Sequence, residues 1–153
     1  MKLNFKEIDY KISLYMGHYG VIAIRISFGI IFIWFGILKP LGISSAEPLV
    51  VATVPWLPVF GAKTWVAIIG WWEVLIGIFF IFRKTTRIAI GLLALQMVGT
   101  FMPLLVLPEV TFQAGYIPYV PTMEGQYIIK NLMIISAALV VGGTVHRREK
   151  NSQ

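Results

Sequence analysis

Long apolar runs alternate with short, mostly basic, polar segments along this chain. A membrane-spanning helix needs about 20 predominantly apolar residues. Four runs meet that length, at 18–38, 63–82, 86–107 and 126–145. Their cores read GVIAIRISFGIIFIWFGIL, WVAIIGWWEVLIGIFFIF, IAIGLLALQMVGTFMPLLVL and YIIKNLMIISAALVVGGTV. The pattern predicts an all-α, integral membrane four-helix bundle that forms a single domain over 1–153.

The polar segments between the runs give the spans a direction. Lys2, Lys6 and Lys11 precede the first run, Arg83, Lys84 and Arg87 lie between the second and third, and Arg147, Arg148 and Lys150 follow the fourth. In a four-span chain all nine fall on one side, and only Lys39 and Lys63 fall on the other. Basic residues collect on the cytoplasmic side, so both termini are expected to be cytoplasmic. Three or five spans would divide the clusters between the two sides.

The two outer connections are longer. Pro40, Pro48, Pro55 and Pro58 keep the first from forming a long helix, so it reads as an ordered surface loop or as a lid. Trp56, Trp65, Tyr116, Tyr119 and Tyr127 suit an outer aromatic belt, and Tyr10, Tyr15 and Tyr19 an inner one.

Arg25, Glu73, Gln96 and Lys130 interrupt the apolar runs. Ionisable groups are costly in a bilayer and usually face a bundle interior or a water-filled cavity. Counting about 1.5 Å per residue from the span ends places Arg25, Glu73 and Gln96 at roughly 10–14 Å depth. That common level predicts an Arg25–Glu73 pair with Gln96 bridging to it. Lys130 lies near the outer end of the fourth run and Lys39 ends the first on the same side. Both lysines can snorkel outward along their stems or bend toward Glu73. With Arg25 and Lys130 set against Glu73, the interior lacks one negative charge, or two if Lys39 turns inward. A small anion, a lipid headgroup or a quinone carbonyl would fill that gap. The plainer alternative is that Arg25 and Glu73 only lock helices together and the lysines are solvated.

Gly29, Gly36, Gly70 and Gly77 let helices approach closely, and such small-residue faces leave room for a homodimer. Pro103 is expected to kink the third span. Met97, Met102 and Met133 read as core filler.

Composition narrows the chemistry. The chain is 58% hydrophobic and 13% charged, against roughly 25% charged in soluble domains. Its mean hydropathy is +0.80. The absence of cysteine removes disulfides, thiolate nucleophiles and iron–sulfur ligation. His18 and His146 both fall at cytoplasmic helix ends, which speaks against a haem held by two histidines. No metal cluster, phosphate loop or dinucleotide fingerprint is present. No basic stripe with interleaved aromatics points to nucleic acid. The N-terminal segment lacks a signal-peptide pattern, so the first span is expected to be retained. With no intrinsic cofactor, electron chemistry would need a bound quinone or a partner subunit.

Arg25 with the Gly36-Ile37-Leu38-Lys39 exit, the Glu73-Val74-Leu75-Ile76-Gly77 stretch and Lys130 in IIKNLMIISAALV occur in that order. Over about residues 18 to 145 the chain resembles the DoxX superfamily of four-helix bacterial membrane proteins. It looks closest to the branch related to an inner-membrane protein of reactive-chlorine resistance. The resemblance implies a multi-pass protein of the bacterial plasma membrane with a role in redox work or oxidative-stress defence. One branch of that family supplies a subunit of a thiosulfate:quinone oxidoreductase. It also marks Arg25, Lys39, Glu73 and Lys130 as positions to carry over. The expectation is a non-autonomous subunit that binds a quinone or small anion, in contact with membrane lipid. A solute transporter and a structural scaffold are the alternatives.

Overall fold

A computed structural model describes residues 5–55 and 60–149, with side chains to Thr144. Lys2, Trp56, Pro58 and Lys150, and the side chains of His146, Arg147 and Arg148, lie outside the described residues. The described residues form helices α1 (Phe5–Leu38), α2 (Glu47–Thr53), α3 (Ala62–Ile81), α4 (Thr86–Phe101), α5 (Pro103–Val106), α6 (Pro108–Thr111), α7 (Met123–Ile129) and α8 (Asn131–Glu149). Four helical segments are long and apolar enough to cross a membrane: Phe5–Leu38, Ala62–Ile81, Arg83–Val106 and Met123–Thr144. The fold is that of a multi-pass membrane protein.

The observed segments depart from the expected spans in three instructive places. The first helix begins at Phe5 and runs unbroken for 34 residues. Its N-terminal turns lack an apolar run long enough to register as a span, yet nothing in FKEIDYKISLYM breaks a helix. The third span is interrupted at Met102. Pro103 has no N–H to give the carbonyl of Gly99, which instead accepts from Met102 N at 3.3 Å. The fourth is interrupted at Lys130. There the Asn131 amide donates to the carbonyls of Tyr127 (3.0 Å) and Ile128 (3.1 Å), competing with the backbone for its own preceding turn.

At the C-terminal end of α1, the sequence LKPLGI folds as a Schellman cap. Ile43 N donates to Leu38 O at 3.1 Å and Gly42 N to Lys39 O at 3.0 Å. Gly42 takes the left-handed conformation the cap needs, with φ +70°. The cap holds Lys39 in helical geometry one residue beyond the last regular turn.

Around the bundle, α1 packs on α3, α3 on α4, α4 on α8, and α8 back on α1. The shared core is Phe28 and Phe32 from α1, Ile76 and Phe80 from α3, Leu93 and Met97 from α4, and Ala138 from α8. Phe28 meets Phe80 edge-on, with ring centroids 4.8 Å apart. The outward faces are apolar too, as Trp34, Trp71, Leu95 and Leu139 show. That is the pattern of helices meant to be covered by lipid tails. Met97 is core filler as expected. Met133 is not: it is exposed on that outer surface.

The connections pack against the spans. In the first, α2 lies against α3 and α5. Further along, Gln113 N donates to Val120 O (2.9 Å) and Thr122 N to Thr111 O (2.9 Å), closing a hairpin-like loop between α6 and α7. Tyr116, Tyr119 and Tyr127 project from this end of the bundle, exposed.

Candidate functional site

The geometry of the site follows from the glycines. A methyl group placed on Gly36 would sit 2.7 Å from the carbonyl oxygen of Gly70, and one on Gly70 would sit 2.6 Å from that of Gly36. Gly77 similarly faces Gly29 and Ile33, with contacts from 2.8 Å. These contacts bring the α1 and α3 backbones together as only side-chain-free positions allow. They also fix an antiparallel register, with Gly29 opposite Gly77 and Gly36 opposite Gly70. Each step up α1 is a step down α3, so Arg25 falls opposite Ile81, and Ile33 falls opposite Glu73.

This register separates Arg25 from Glu73 by about eight residues, roughly 12 Å along the axis. The expected Arg25–Glu73 pair therefore does not form. Glu73 instead pairs with Lys39, whose ammonium donates to Oε2. Side chains lean toward the N-terminus of their own helix. In an antiparallel pair Lys39 and Glu73 thus lean toward each other, and the lysine stem covers the remaining gap. Of the two placements open to Lys39, snorkelling outward or bending toward Glu73, the bend is the one observed: its side chain is 7% exposed and that of Glu73 13%.

Gln96 completes the cluster from α4. Its Nε2 donates to Glu73 Oε1 at 2.7 Å, so the amide does bridge to the carboxylate. Both carboxylate oxygens are engaged. The Lys39 ammonium carries three donors, and among the described residues Glu73 engages one. Trp72, which the sequence reading passed over, sits beside Glu73 in sequence and its Nε1 reaches the Leu92 carbonyl at 3.4 Å. It ties α3 to the same helix that supplies Gln96.

Arg25 does a different job. The last carbonyls of a helix have no partners within it. Arg25 Nε donates to Phe80 O at 3.1 Å and Nη2 to Ile81 O at 2.8 Å. Thr85 Oγ1 reaches Phe79 O at 2.9 Å, and Phe82 N reaches Ile78 O at 3.4 Å. The C-terminus of α3 is thus fully capped, with a cation from another helix placed where the helix dipole favours one.

Lys130 stands apart from both groups. It is exposed, with its ammonium 5.7 Å from the centre of the Tyr127 ring. The structure brings Lys39, Glu73 and Gln96 together and leaves Arg25 and Lys130 outside that cluster. The charge gap inferred from sequence closes accordingly. Lys39 and Glu73 neutralise each other, Arg25 is met by carbonyl oxygens, and Lys130 faces out. Among the described residues no group of three or more histidine, cysteine or carboxylate side chains is placed to hold a metal ion.

No protein-family model matches the chain, and no curated protein or solved structure does.

Proposed function

We propose that this chain is a DoxX-like protein of the bacterial plasma membrane, with both termini cytoplasmic. In this reading it is a non-autonomous subunit of a membrane redox or oxidative-stress system. Its ligand centre is the cluster of Lys39, Glu73 and Gln96, which takes a quinone or a small anion. The observation that carries the reading is the buried Lys39 ammonium with donors to spare. Burial makes such donors valuable to a carbonyl or anionic oxygen, because an unmet buried donor is costly. Glu73 orients the ammonium, and Gln96 fixes the carboxylate. Electrons would come from a partner subunit, a reading that the absence of cysteine supports. The basic clusters beside the spans support the orientation.

The test is gentle solubilisation followed by native mass spectrometry and organic extraction. A stoichiometric quinone or anion is expected with the unsubstituted protein and is lost in Glu73→Gln, which still inserts. Retention of the ligand by folded Glu73→Gln would overturn the assignment. One observation favours a second reading, a structural scaffold: both oxygens of Glu73 are already satisfied within the bundle. A scaffold role requires that Lys39→Glu combined with Glu73→Lys restore function, whereas a ligand site would stay inactive.

A further inference from the structure

Positive charge gathers at the C-terminal end of α3. Arg25 reaches it from α1, half-buried, and uses two of its five N–H groups on the carbonyls of Phe80 and Ile81. Those contacts fix the guanidinium. The remaining N–H groups, on Nη1 and Nη2, form an edge that suits two oxygens of one phosphate. The Ile81 contact lies at the exposed surface, so a molecule outside the bundle can reach that edge. Two residues on, the turn Arg83–Thr85 adds Arg83 and Lys84, both exposed. Arg83 is near enough to Arg25 for the two positive charges to repel each other.

Among the described residues no carboxylate forms an ion pair with any of these three cations. Glu73 is paired with Lys39, about 12 Å further along α3. Asp9, the carboxylate of α1 closest to Arg25 in sequence, is sixteen residues away, about 24 Å along the helix. Glu47, Glu109 and Glu124 belong to connections at the other end of α3.

The level of the group says which anion fits. α3 has 20 residues, so it is about 30 Å long. That matches the hydrocarbon core of a bilayer, which puts its last carbonyls and the cations around them where lipid phosphates lie. Ile26, Ile81 and Phe82 are exposed beside the cations. They carry the apolar outer surface of the bundle up to the charges, and acyl chains would cover them. A free phosphate makes no use of that apolar flank.

We propose that Arg25, Arg83 and Lys84 bind the phosphate of an anionic phospholipid whose acyl chains lie on Ile26, Ile81 and Phe82. Arg25 supplies the fork, held in place by the helix end it caps. The phosphate relieves the repulsion between Arg25 and Arg83, and Lys84 attracts the headgroup from the rim. A zwitterionic headgroup would bring its own ammonium among three cations, so a lipid with net negative charge is preferred. The inference is independent of the ligand assigned to the Lys39 cluster.

The test uses the whole chain in a mild detergent, titrated with phosphatidylglycerol or with phosphatidylcholine of the same acyl chains. Native mass spectrometry reads the affinity for the first bound lipid. Phosphatidylglycerol is expected to bind at least about fivefold more tightly than phosphatidylcholine. Arg83→Gln and Lys84→Gln alter only exposed side chains, so folding is not at stake. Each is expected to weaken phosphatidylglycerol about fivefold and to leave phosphatidylcholine unchanged. Arg25→Lys keeps the charge without the fork and should weaken phosphatidylglycerol at least as much as Lys84→Gln. Lys130→Gln removes one exposed charge away from this end and should change neither lipid. Equal affinity for the two lipids, or a preference that survives Arg83→Gln, Lys84→Gln or Arg25→Lys, would overturn the proposal. So would a loss with Lys130→Gln as large as with Lys84→Gln, which would mark bulk charge, or displacement of the lipid by inorganic phosphate, which would mark a free-anion site.

Discussion

Two cations fourteen residues apart, Arg25 on α1 and Lys39 just past its end, meet opposite ends of the same α1–α3 seam and are satisfied by different partners. At one end Arg25 gives its guanidinium to the carbonyls of Phe80 and Ile81. At the other Lys39 gives its ammonium to the carboxylate of Glu73. The first contact completes a helix end and introduces no second charge. The second sets two charges inside the helix bundle, where Gln96 also donates to the carboxylate. A planar fork suits two adjacent carbonyls, whereas a flexible point charge suits a carboxylate that must be reached from a distance. A cation in a membrane span is thus not by itself a sign of a site. What it donates to decides.

The comparison can be broken most severely at Glu73. Glu73→Ala leaves the Lys39 ammonium buried and unpaired, a loss expected to cost about 3–5 kcal/mol. Steric-trapping measurements of unfolding in bicelles would read it. A cost near zero would mean that the ammonium finds another partner.

Widening the seam should do less. Gly70→Ala places a methyl group 2.6 Å from the Gly36 carbonyl oxygen and 2.7 Å from the Lys39 Cβ. Backbone cannot yield as a flexible side chain can, so about 1–3 kcal/mol is expected, by the same measurement. Gly91→Ala, where a methyl meets nothing within 4 Å, is the neutral control.

At the other end, Arg25→Met uncaps two carbonyls. The site is half-buried rather than enclosed, so the loss is expected near about 1 kcal/mol, at the low end for unsatisfied groups. Arg25→Lys should recover only part of it, because an ammonium lacks the fork that spans both oxygens. Hydrogen exchange at the backbone amides of residues 80–86 would localise the effect to that end. Lys130→Ala, outside both groups, should move stability by no more than about 0.5 kcal/mol.

Much of this was legible in the chain. The four spans were, because 20 apolar residues in a row have few other uses. So was the contact between Gln96 and Glu73, because polar groups in such runs stand out and seek one another. The pairing was not. Depth had been counted from the ends of the apolar runs, and that put Arg25 level with Glu73. The registering signal was nonetheless present: Gly29 and Gly36 are seven apart on α1, Gly70 and Gly77 seven apart on α3. Antiparallel matching of those pairs places Arg25 at the end of α3 and brings Lys39 within reach of Glu73. Hydropathy reports how far a chain goes into the membrane. Small residues report where two helices touch, and only the second sets partners. The helical turns of α1 before Gly20 escaped for a related reason. Their apolar residues are interspersed with polar ones, and a count of consecutive apolar residues does not see them.

The central claim is that the partner of Glu73 is Lys39 and not Arg25. Two double-mutant cycles on unfolding free energy, Lys39→Met with Glu73→Gln and Arg25→Met with Glu73→Gln, test it directly. Contacting residues couple by about 0.5–3 kcal/mol, whereas separated ones add to within about 0.5 kcal/mol. A coupling of about 2 kcal/mol for Lys39 with Glu73, and additivity for Arg25 with Glu73, is expected. Strong coupling of Arg25 to Glu73, with Lys39 additive, would contradict the register and with it the site.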